Sequence, residues 1–306
     1  MNRRAMASRP PSVDRAGALA LLAGAALLAA GCGRGGGPAV AIGSKDFTEE
    51  LILGEMYAQI LEHNGFAVTR KLDLGGTQIA MEALQRGDID LYPEYTGTAL
   101  ITELKVKPGK SASANFATVK NAYASRYQLT WLEPAPFNDT QALATTSAIS
   151  ARYGIRTLSE LAKAAPRLRL GAIPEFTKRD DGLPGLQKAY GGFQFADVKL
   201  FEIGLKYKAL ESGQVDVVVA FGTDGQIDVD HLVVFTDDKH FWPEYQVAPV
   251  VRSATLAKYP ALAEDLNKLA PLLTDAIMRG LNAKVDGDKQ DPADVARAFL
   301  TQHGFA

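Results

Sequence analysis

Short apolar runs alternate with amphipathic stretches along most of the chain. Residues 39–42 form an unbroken apolar run that is typical of a buried strand, and residues 68–74 are again strand-like. Between them, residues 48–64 place apolar side chains four positions apart, the spacing of one helical face, and Gly65 is the expected end of that helix. Strands and helices that alternate in this way predict an α/β fold, with layers of helices on largely parallel sheets.

Two later helices have recognisable beginnings. Residues 157–160, with the sequence Thr-Leu-Ser-Glu, fit the capping box, in which the Thr and Glu side chains accept hydrogen bonds from free backbone N–H groups of the first turn. Asp291 followed by Pro292 fits an N-cap and a first helical residue. A strand is expected at residues 169–173, so the α/β alternation continues into the second half of the chain.

One pattern of helix end, glycine, strand and aromatic residue occurs twice with the same spacing. The first copy is Ala83-Leu84, Gly87, Ile89-Asp90-Leu91 and Tyr95, and the second is Ala209-Leu210, Gly213, Val215-Asp216-Val217 and Phe221. In an open parallel sheet the ligand crevice lies beyond the carboxyl ends of the strands, so Tyr95 and Phe221 are expected to line it from two sides. The alternative is a repeated turn whose aromatic residues only fill the core.

Composition narrows the class of protein. The 306 residues include 33 Lys and Arg against 35 Asp and Glu, a net charge of −2, with 47% hydrophobic residues and a single Cys. This length predicts two lobes with cores of their own. The apolar content excludes a disordered chain, the single Cys excludes a disulfide scaffold, and the charge excludes a strongly basic nucleic-acid binder.

The beginning of the chain has the order of a bacterial secretion signal. Four arginines in residues 1–15 precede an uncharged run of Ala, Leu and Gly at residues 16–30. In a helix this run spans about 22 Å, less than the ~30 Å hydrocarbon core of a bilayer, so it fits a signal peptide better than a membrane span. Its end, Ala29-Ala30-Gly31-Cys32, resembles the lipobox, in which the cysteine is acylated and becomes the new N-terminus, although Ala29 stands where Leu is usual.

We therefore predict a lipoprotein signal peptide over residues 1–31, a lipid-modified Cys32 and a Gly-rich tether over residues 32–38. The alternative for Cys32 is a lone buried cysteine, but its surroundings do not have the pattern of a core. The mature protein is then expected outside the cytoplasm, in a periplasm or at a cell surface, held to the membrane by its lipid alone.

Motifs of enzyme chemistry are absent from the sequence. It contains no Gly-x-Ser-x-Gly, no His-Glu-x-x-His and no cysteine cluster. The acidic pairs at residues 180–181 and 237–238 have the composition of solvated turns. We therefore predict a binding protein rather than an enzyme, with no cofactor and no metal ion.

A series of short motifs extends from about Val40 to the C-terminus. In chain order they are Ile42-Gly43-Ser44-Lys45-Asp46-Phe47-Thr48-Glu49, Leu74-Gly75-Gly76-Thr77, Pro93-Glu94-Tyr95-Thr96-Gly97-Thr98, Phe137-Asn138-Asp139-Thr140, Glu175-Phe176 with Arg179 and Asp181-Gly182, Thr223-Asp224-Gly225, and Asp237-Asp238-Lys239 through Pro243 and Tyr245. Together they resemble the substrate-binding proteins of ABC importers for quaternary amines such as glycine betaine, choline and carnitine. The resemblance implies a two-lobed periplasmic-binding-protein fold of type II, with a hinge between the lobes and the ligand in the interlobe cleft.

The resemblance also implies an organisation and a set of partners. Residues 39–141 plus 246–306 are expected to form one lobe and residues 142–245 the other, with hinge strands near residues 141–144 and 248–251. The protein is expected to be a monomer that binds no nucleic acid. It would deliver a quaternary ammonium osmoprotectant to a membrane permease and its ATPase subunit.

In this family, an aromatic cage holds the trimethylammonium group. Such a group has no N–H to donate, so ring faces hold it, at roughly 0.5–2 kcal/mol each. By motif, Tyr95, Phe221 and Tyr245 fall at cage positions, which agrees with the repeat that paired Tyr95 with Phe221.

The carboxylate of the ligand, where there is one, is held by basic and polar side chains in this family. Lys45, Thr98 and Arg179 fall at those positions. A guanidinium such as that of Arg179 binds a carboxylate through two parallel hydrogen bonds.

One position departs from the family pattern. The family usually has Tyr four residues after the Phe of its Phe-Asn motif, and this chain has Gln141 there. One wall of the cage is then polar. Either affinity for trimethylammonium is reduced, or the ligand carries an additional polar group. An alternative function is therefore the binding of a different polar solute by the same fold, such as an amino acid or another betaine-bearing metabolite.

Overall fold

The computed structural model describes residues 37–109 and 111–305. The predicted signal peptide, Cys32 and most of the tether lie outside the described residues. Within them, the strands form two five-stranded sheets, with the orders β2-β1-β3-β10-β4 and β7-β6-β8-β5-β9. The strands are β1 (Ala39–Gly43), β2 (Ala67–Lys71), β3 (Leu91–Tyr95), β4 (Leu129–Trp131), β5 (Gln141–Thr145), β6 (Arg169–Ala172), β7 (Asp197–Leu200), β8 (Val217–Phe221), β9 (Val233–Val234) and β10 (Val247–Arg252).

Helices follow most strands, which confirms the α/β class. The helices are α1 (Thr48–His63), α2 (Thr77–Arg86), α3 (Thr96–Thr98), α4 (Ala112–Tyr127), α5 (Ser147–Tyr153), α6 (Leu158–Ala164), α7 (Leu183–Tyr190), α8 (Lys206–Glu211), α9 (Gln226–Val229), α10 (Ser253–Lys258), α11 (Ala261–Asn267), α12 (Asp275–Asp286) and α13 (Pro292–Gln302). A π-helical segment, Ala99–Glu103, continues α3, and short 3-10 turns lie at Ala165–Arg167 and Ala270–Leu272.

Local signals in the sequence are confirmed. Thr157 and Glu160 form the expected capping box at the start of α6. The Asp291 side chain accepts a hydrogen bond from the first turn of α13, with Pro292 at the first helical position. None of the helices in the described part of the chain is long and apolar enough to cross a bilayer.

The prediction of largely parallel sheets holds for four of the five strands in each sheet, but the fifth strand is antiparallel to both of its neighbours. β1 is parallel to β2 and β3, but β10 is antiparallel to both β3 and β4. The second sheet repeats this arrangement, with β6 parallel to β7 and β8, and β5 antiparallel to β8 and β9. The reason is that the chain passes from one sheet to the other before β5 and again before β10. Each of these strands begins beside the carboxyl ends of the parallel strands in its new sheet, so it runs in the opposite direction.

The sequence repeat has a structural counterpart in both sheets. Gly87, with a φ of 79°, follows α2, and Gly213, with a φ of 70°, follows α8. Both backbones are in the left-handed region, which a residue with a Cβ adopts at a cost. Each glycine therefore allows a sharp turn from a helix into the strand behind it.

The two aspartates of the repeat make equivalent hydrogen bonds. Asp90 donates its backbone N–H to Ala41 O at 2.7 Å and accepts the Ala41 N–H on Oδ2 at 2.8 Å. Asp216 makes the same pair of bonds with the backbone of Arg169, both at 2.8 Å. β3 and β8 thus begin at equivalent places in the two sheets, and the aromatic residues at their carboxyl ends are equivalent as well.

Candidate functional site

A cavity of about 380 Å³ lies between the carboxyl ends of the parallel strands of the two sheets. From the first sheet it is lined by residues that follow β1 and end β3. From the second it is lined by residues at or after the ends of β6, β7 and β8. All the binding residues expected from the sequence line this cavity, and they are Lys45, Tyr95, Thr98, Gln141, Arg179, Phe221 and Tyr245.

Three aromatic rings form a row along one wall of the cavity. The Phe47 ring lies 6.1 Å from the Tyr95 ring between centroids, and 6.4 Å from the Phe221 ring with an angle of 12° between their planes. Phe47 belongs to the first half of the fold and Phe221 to the second, so their stacking joins the two halves at the cavity wall. Phe47 was missed as a site residue, although it follows β1 at the same sheet edge as Tyr95.

Tyr245 contributes a fourth ring, held in place from two sides. Its hydroxyl donates a hydrogen bond to Asp181 Oδ2 at 2.7 Å. Its ring packs directly on Gly97, where a Cβ atom would lie 2.6 Å from two ring carbons. A glycine is needed at position 97 for this ring to occupy its place.

Arg179 is already paired with a buried carboxylate behind the cavity wall. Its Nε and Nη2 donate to Asp181 Oδ1 and Oδ2 at 2.7 and 2.6 Å, and Nη2 also donates to Thr98 Oγ1 at 3.3 Å. Burial alone would raise the pKa of Asp181, but the hydrogen bonds and charge of Arg179 lower that pKa below its usual value. The remaining Nη1 has a carboxylate oxygen of Glu175 3.8 Å away, beyond hydrogen-bond distance.

Lys45 is buried and also has carboxylate neighbours. Its Nζ donates to Glu94 Oε1 at 2.7 Å and lies 3.9 Å from Glu50 Oε1. The same ammonium group lies 4.8 Å from the centre of the Tyr95 ring. Burial alone would lower the pKa of Lys45, but the charges of Glu94 and Glu50 raise it, so the ammonium group stays protonated.

Acidic side chains outnumber basic ones in the cavity lining. The basic ones are Lys45 and Arg179, and the acidic ones are Asp46, Asp139, Glu175 and Glu202. Because both basic groups are also paired with carboxylates behind the wall, the lining favours a ligand that carries positive charge. These acidic residues come from four separate loops and were missed as site residues, although Asp46, Asp139 and Glu175 stand in the motifs of the sequence.

Gln141 begins β5 and is 5% exposed. It lies beside Asp181 and Tyr245, yet within the described residues its Nε2 makes no hydrogen bond of ordinary geometry. Leaving a buried donor unpaired costs about 1–3 kcal/mol. Among the described residues, the amide nitrogen of Gln141 is therefore an unused hydrogen-bond donor that is itself buried.

Comparisons with known proteins identify the family of the chain. A family model, the substrate binding domain of the ABC-type glycine betaine transport system, matches residues 38–302. The ergothioneine transport permease/ergothioneine binding protein EgtU of Helicobacter pylori is 37% identical over 265 residues, 86% of this chain. The match spans 47% of that relative, about half its length.

Two further comparisons cover nearly the whole of both chains. The glycine-betaine-binding protein of Pseudomonas aeruginosa is 36% identical over 92% of this chain and 93% of its own. A crystal structure of a glycine betaine/carnitine/choline ABC transporter matches 88% of this chain and 99% of its own, with a TM-score of 0.71 and 32% identity. The chain therefore belongs to the family of substrate-binding proteins of ABC-type glycine betaine transport systems and has the two-lobed fold of a type II periplasmic binding protein.

Proposed function

We propose that the protein is an extracytoplasmic receptor that binds glycine betaine or a related quaternary ammonium compound, such as choline or carnitine, and delivers it to an ABC permease with its ATPase subunit. The observation that carries this proposal is the row of rings beside an acidic lining. A trimethylammonium group cannot donate hydrogen bonds, so ring faces and negative charge are the means a protein has to hold it.

In this proposal the rings of Phe47, Tyr95, Phe221 and Tyr245 contact the trimethylammonium group. Thr98, Lys45 and Arg179 bind the carboxylate of a zwitterionic ligand. Both basic groups keep N–H donors for this purpose, because Lys45 uses one of its three on Glu94 and Arg179 uses Nε and Nη2 on Asp181. The lobes that close on the ligand would be residues 39–141 plus 246–306 and residues 142–245.

Isothermal titration calorimetry with glycine betaine, choline, carnitine, ergothioneine and an ordinary amino acid tests this proposal. We expect at least one trimethylammonium compound to bind at micromolar concentrations. The proposal is wrong if the amino acid binds and none of the trimethylammonium compounds does.

A second candidate is a betaine that carries an additional polar group. The unpaired amide of Gln141 supports it, because a polar group of the ligand would satisfy that donor. The relative named for ergothioneine binding supports it too, since ergothioneine is a betaine with a sulfur-bearing imidazole ring.

Two substitutions at one position separate the candidates. Gln141→Tyr adds a ring and should tighten glycine betaine binding by about 2- to 30-fold, the value of one cation–π contact. Gln141→Leu removes the amide without adding a ring. If Gln141→Leu weakens ergothioneine binding more than tenfold and leaves glycine betaine unchanged, the second candidate is correct. Equal effects on both ligands would argue against it.

The membrane attachment is part of the proposal. We propose that Cys32 is acylated after removal of residues 1–31 and that the folded protein acts as a monomer on this anchor. Cys32→Ser should release a protein that still binds its ligand, measured by membrane fractionation and mass spectrometry of the N-terminus. Retention of the Cys32→Ser protein in alkali-washed membranes would show instead that the apolar run is a retained membrane span.

A further inference from the structure

One hydroxyl group lies between two buried carboxyl groups at the junction of the lobes. Thr223, which follows β8, places its Oγ1 2.6 Å from Asp139 Oδ1 and 2.5 Å from Glu49 Oε2. Glu49 lies in α1 of the first sheet's lobe, and all three residues are buried. A threonine hydroxyl has one proton to donate, so it can satisfy only one of the two oxygens. Both distances are those of hydrogen bonds, so one carboxyl group must itself carry a proton.

The remaining hydrogen bonds indicate which carboxyl group carries it. Glu49 accepts from the Tyr95 hydroxyl at 2.7 Å and from Asn282 Nδ2 at 2.9 Å, in addition to Thr223. Within the described residues, the other bond made by the Asp139 carboxyl group is accepted by Oδ1 from the Thr223 backbone N–H, at 3.2 Å. Donors stabilise the ionised form of a carboxyl group. Glu49 is therefore the better site for the charge and Asp139 for the proton.

Burial and neighbouring charges act on both carboxyl groups. Burial first, and then the charge of Glu49, raise the pKa of Asp139 well above its usual value. Burial also raises the pKa of Glu49 to about 7, although its hydrogen bonds act in the opposite direction. The titratable and charged groups packed around this cluster are Lys45, Glu50, Tyr95, Lys206, Tyr207, Asp224, Arg279 and Asp286.

We propose that Asp139 is protonated at neutral pH and that its proton completes the hydrogen-bond chain that joins the two lobes at the cleft. Asp139 donates to Thr223 Oγ1, and the Thr223 hydroxyl donates to Glu49. The same loop is fixed by bonds from Asn282 Nδ2 to Thr223 O at 2.8 Å and from Arg279 Nη2 to Gly222 O at 3.0 Å. When the proton is lost, two carboxylates compete for one hydroxyl proton, and this interlobe contact weakens.

Infrared difference spectroscopy of the parent against Asp139→Asn tests the proton directly and needs no ligand. The asparagine Nδ2 can donate to Thr223 Oγ1 as the protonated acid does, although it cannot accept the Thr223 backbone N–H as Asp139 Oδ1 does. We expect the variant to lose a band of a protonated carboxyl group, whereas the exposed control Asp197→Asn should lose bands of an ionised carboxylate. Loss of ionised bands in Asp139→Asn would overturn the proposal.

A second measurement uses the parent alone, so it does not depend on the folding of a variant. Incorporation of isotope-labelled aspartate should shift a protonated carboxyl band that disappears as the pH is raised. The absence of any aspartate contribution to the protonated bands at neutral pH would overturn the proposal.

The consequence for ligand binding rests on the proposed function and is tested with glycine betaine, which has no group that titrates near neutral pH. Affinity of the parent should fall by up to about tenfold per pH unit in the alkaline range, the limit for one coupled proton. Asp139→Asn should bind with little pH dependence, and the same dependence in both proteins would overturn the coupling. If glycine betaine does not bind at any pH, the proposed ligand is wrong, and the spectra still decide the protonation.

Discussion

Replacement of Phe221 by Leu tests whether the cavity recognises positive charge with its rings. Leucine keeps an apolar branched side chain at the end of β8 and removes the ring face. The ring is half-buried and stacks on Phe47 at 6.4 Å, so it is fixed in place before a ligand arrives. One cation–π contact contributes about 0.5–2 kcal/mol, and its loss should weaken glycine betaine binding about 2- to 30-fold.

The assay compares two ligands of the same shape by calorimetry. In tert-butylacetate a carbon atom replaces the nitrogen of glycine betaine, so the ligand keeps its methyl groups and carboxylate and loses the positive charge. Any change in packing caused by Phe221→Leu acts on both ligands. The additional loss seen with glycine betaine therefore measures the interaction of the ring with the charge.

A matched control is Phe195→Leu, because Phe195 is also half-buried in the second lobe but does not line the cavity. This control should leave the affinity for both ligands unchanged. Equal losses for the two ligands in Phe221→Leu would show that the ring contributes shape alone. Unchanged affinities in a folded Phe221→Leu protein would show that the ring does not contact the ligand.

Three further tests, which use four substitutions, concern the structure around the cavity. Gly97→Ala places a methyl group against the Tyr ring packed there and should cost about 1–3 kcal/mol of stability and weaken binding, whereas Gly280→Ala, in open space on a helix, should stabilise by up to about 1 kcal/mol. Equal unfolding free energies for these two variants would contradict the packing. Arg179→Met leaves the buried Asp181 carboxylate without a basic partner and should cost about 3–5 kcal/mol in denaturant unfolding at neutral pH. A loss below about 1 kcal/mol would contradict the pairing. Burial raises the pKa of Glu50 from 4.5 to about 8. The contribution of Glu50 to the free energy of unfolding therefore falls as the pH rises from 4.5 to about 8. Glu50→Gln should therefore gain stability relative to the parent from pH 5 to pH 8. A difference in unfolding free energy between the two proteins that does not change with pH would contradict this.

Local chemistry made part of this structure predictable from the sequence. The capping residues Thr157 and Asp291 act within one turn of their own helix. In each copy of the repeat the glycine precedes a strand and the aromatic residue ends it. Tyr95 and Phe221 could therefore be placed at one cavity from the sequence alone. These signals depend on residues that are near one another in the chain.

Features that depend on distant segments were not predictable in this way. Hydrophobic periodicity does not encode strand direction, so the antiparallel placement of β5 and β10 was missed. The pairing of Lys45 with Glu94 and the contact of Glu49 with Thr223 join segments 49 and 174 residues apart. The pairing of Arg179 with Asp181 was missed as well, although the two residues are close in the chain, and it changes the charge that a ligand meets.

The acidic lining of the cavity has a consequence for the rate of ligand capture in saline surroundings. Long-range attraction to a negative opening accelerates the association of a ligand with net positive charge, and dissolved salt screens this attraction over about 8–10 Å. Choline is a cation, whereas glycine betaine and carnitine are zwitterions with no net charge. Rising salinity should therefore slow the capture of choline and leave that of the betaines nearly unchanged. The ionic strength of the medium would then shift the selectivity of this receptor towards zwitterions without any change in its contacts.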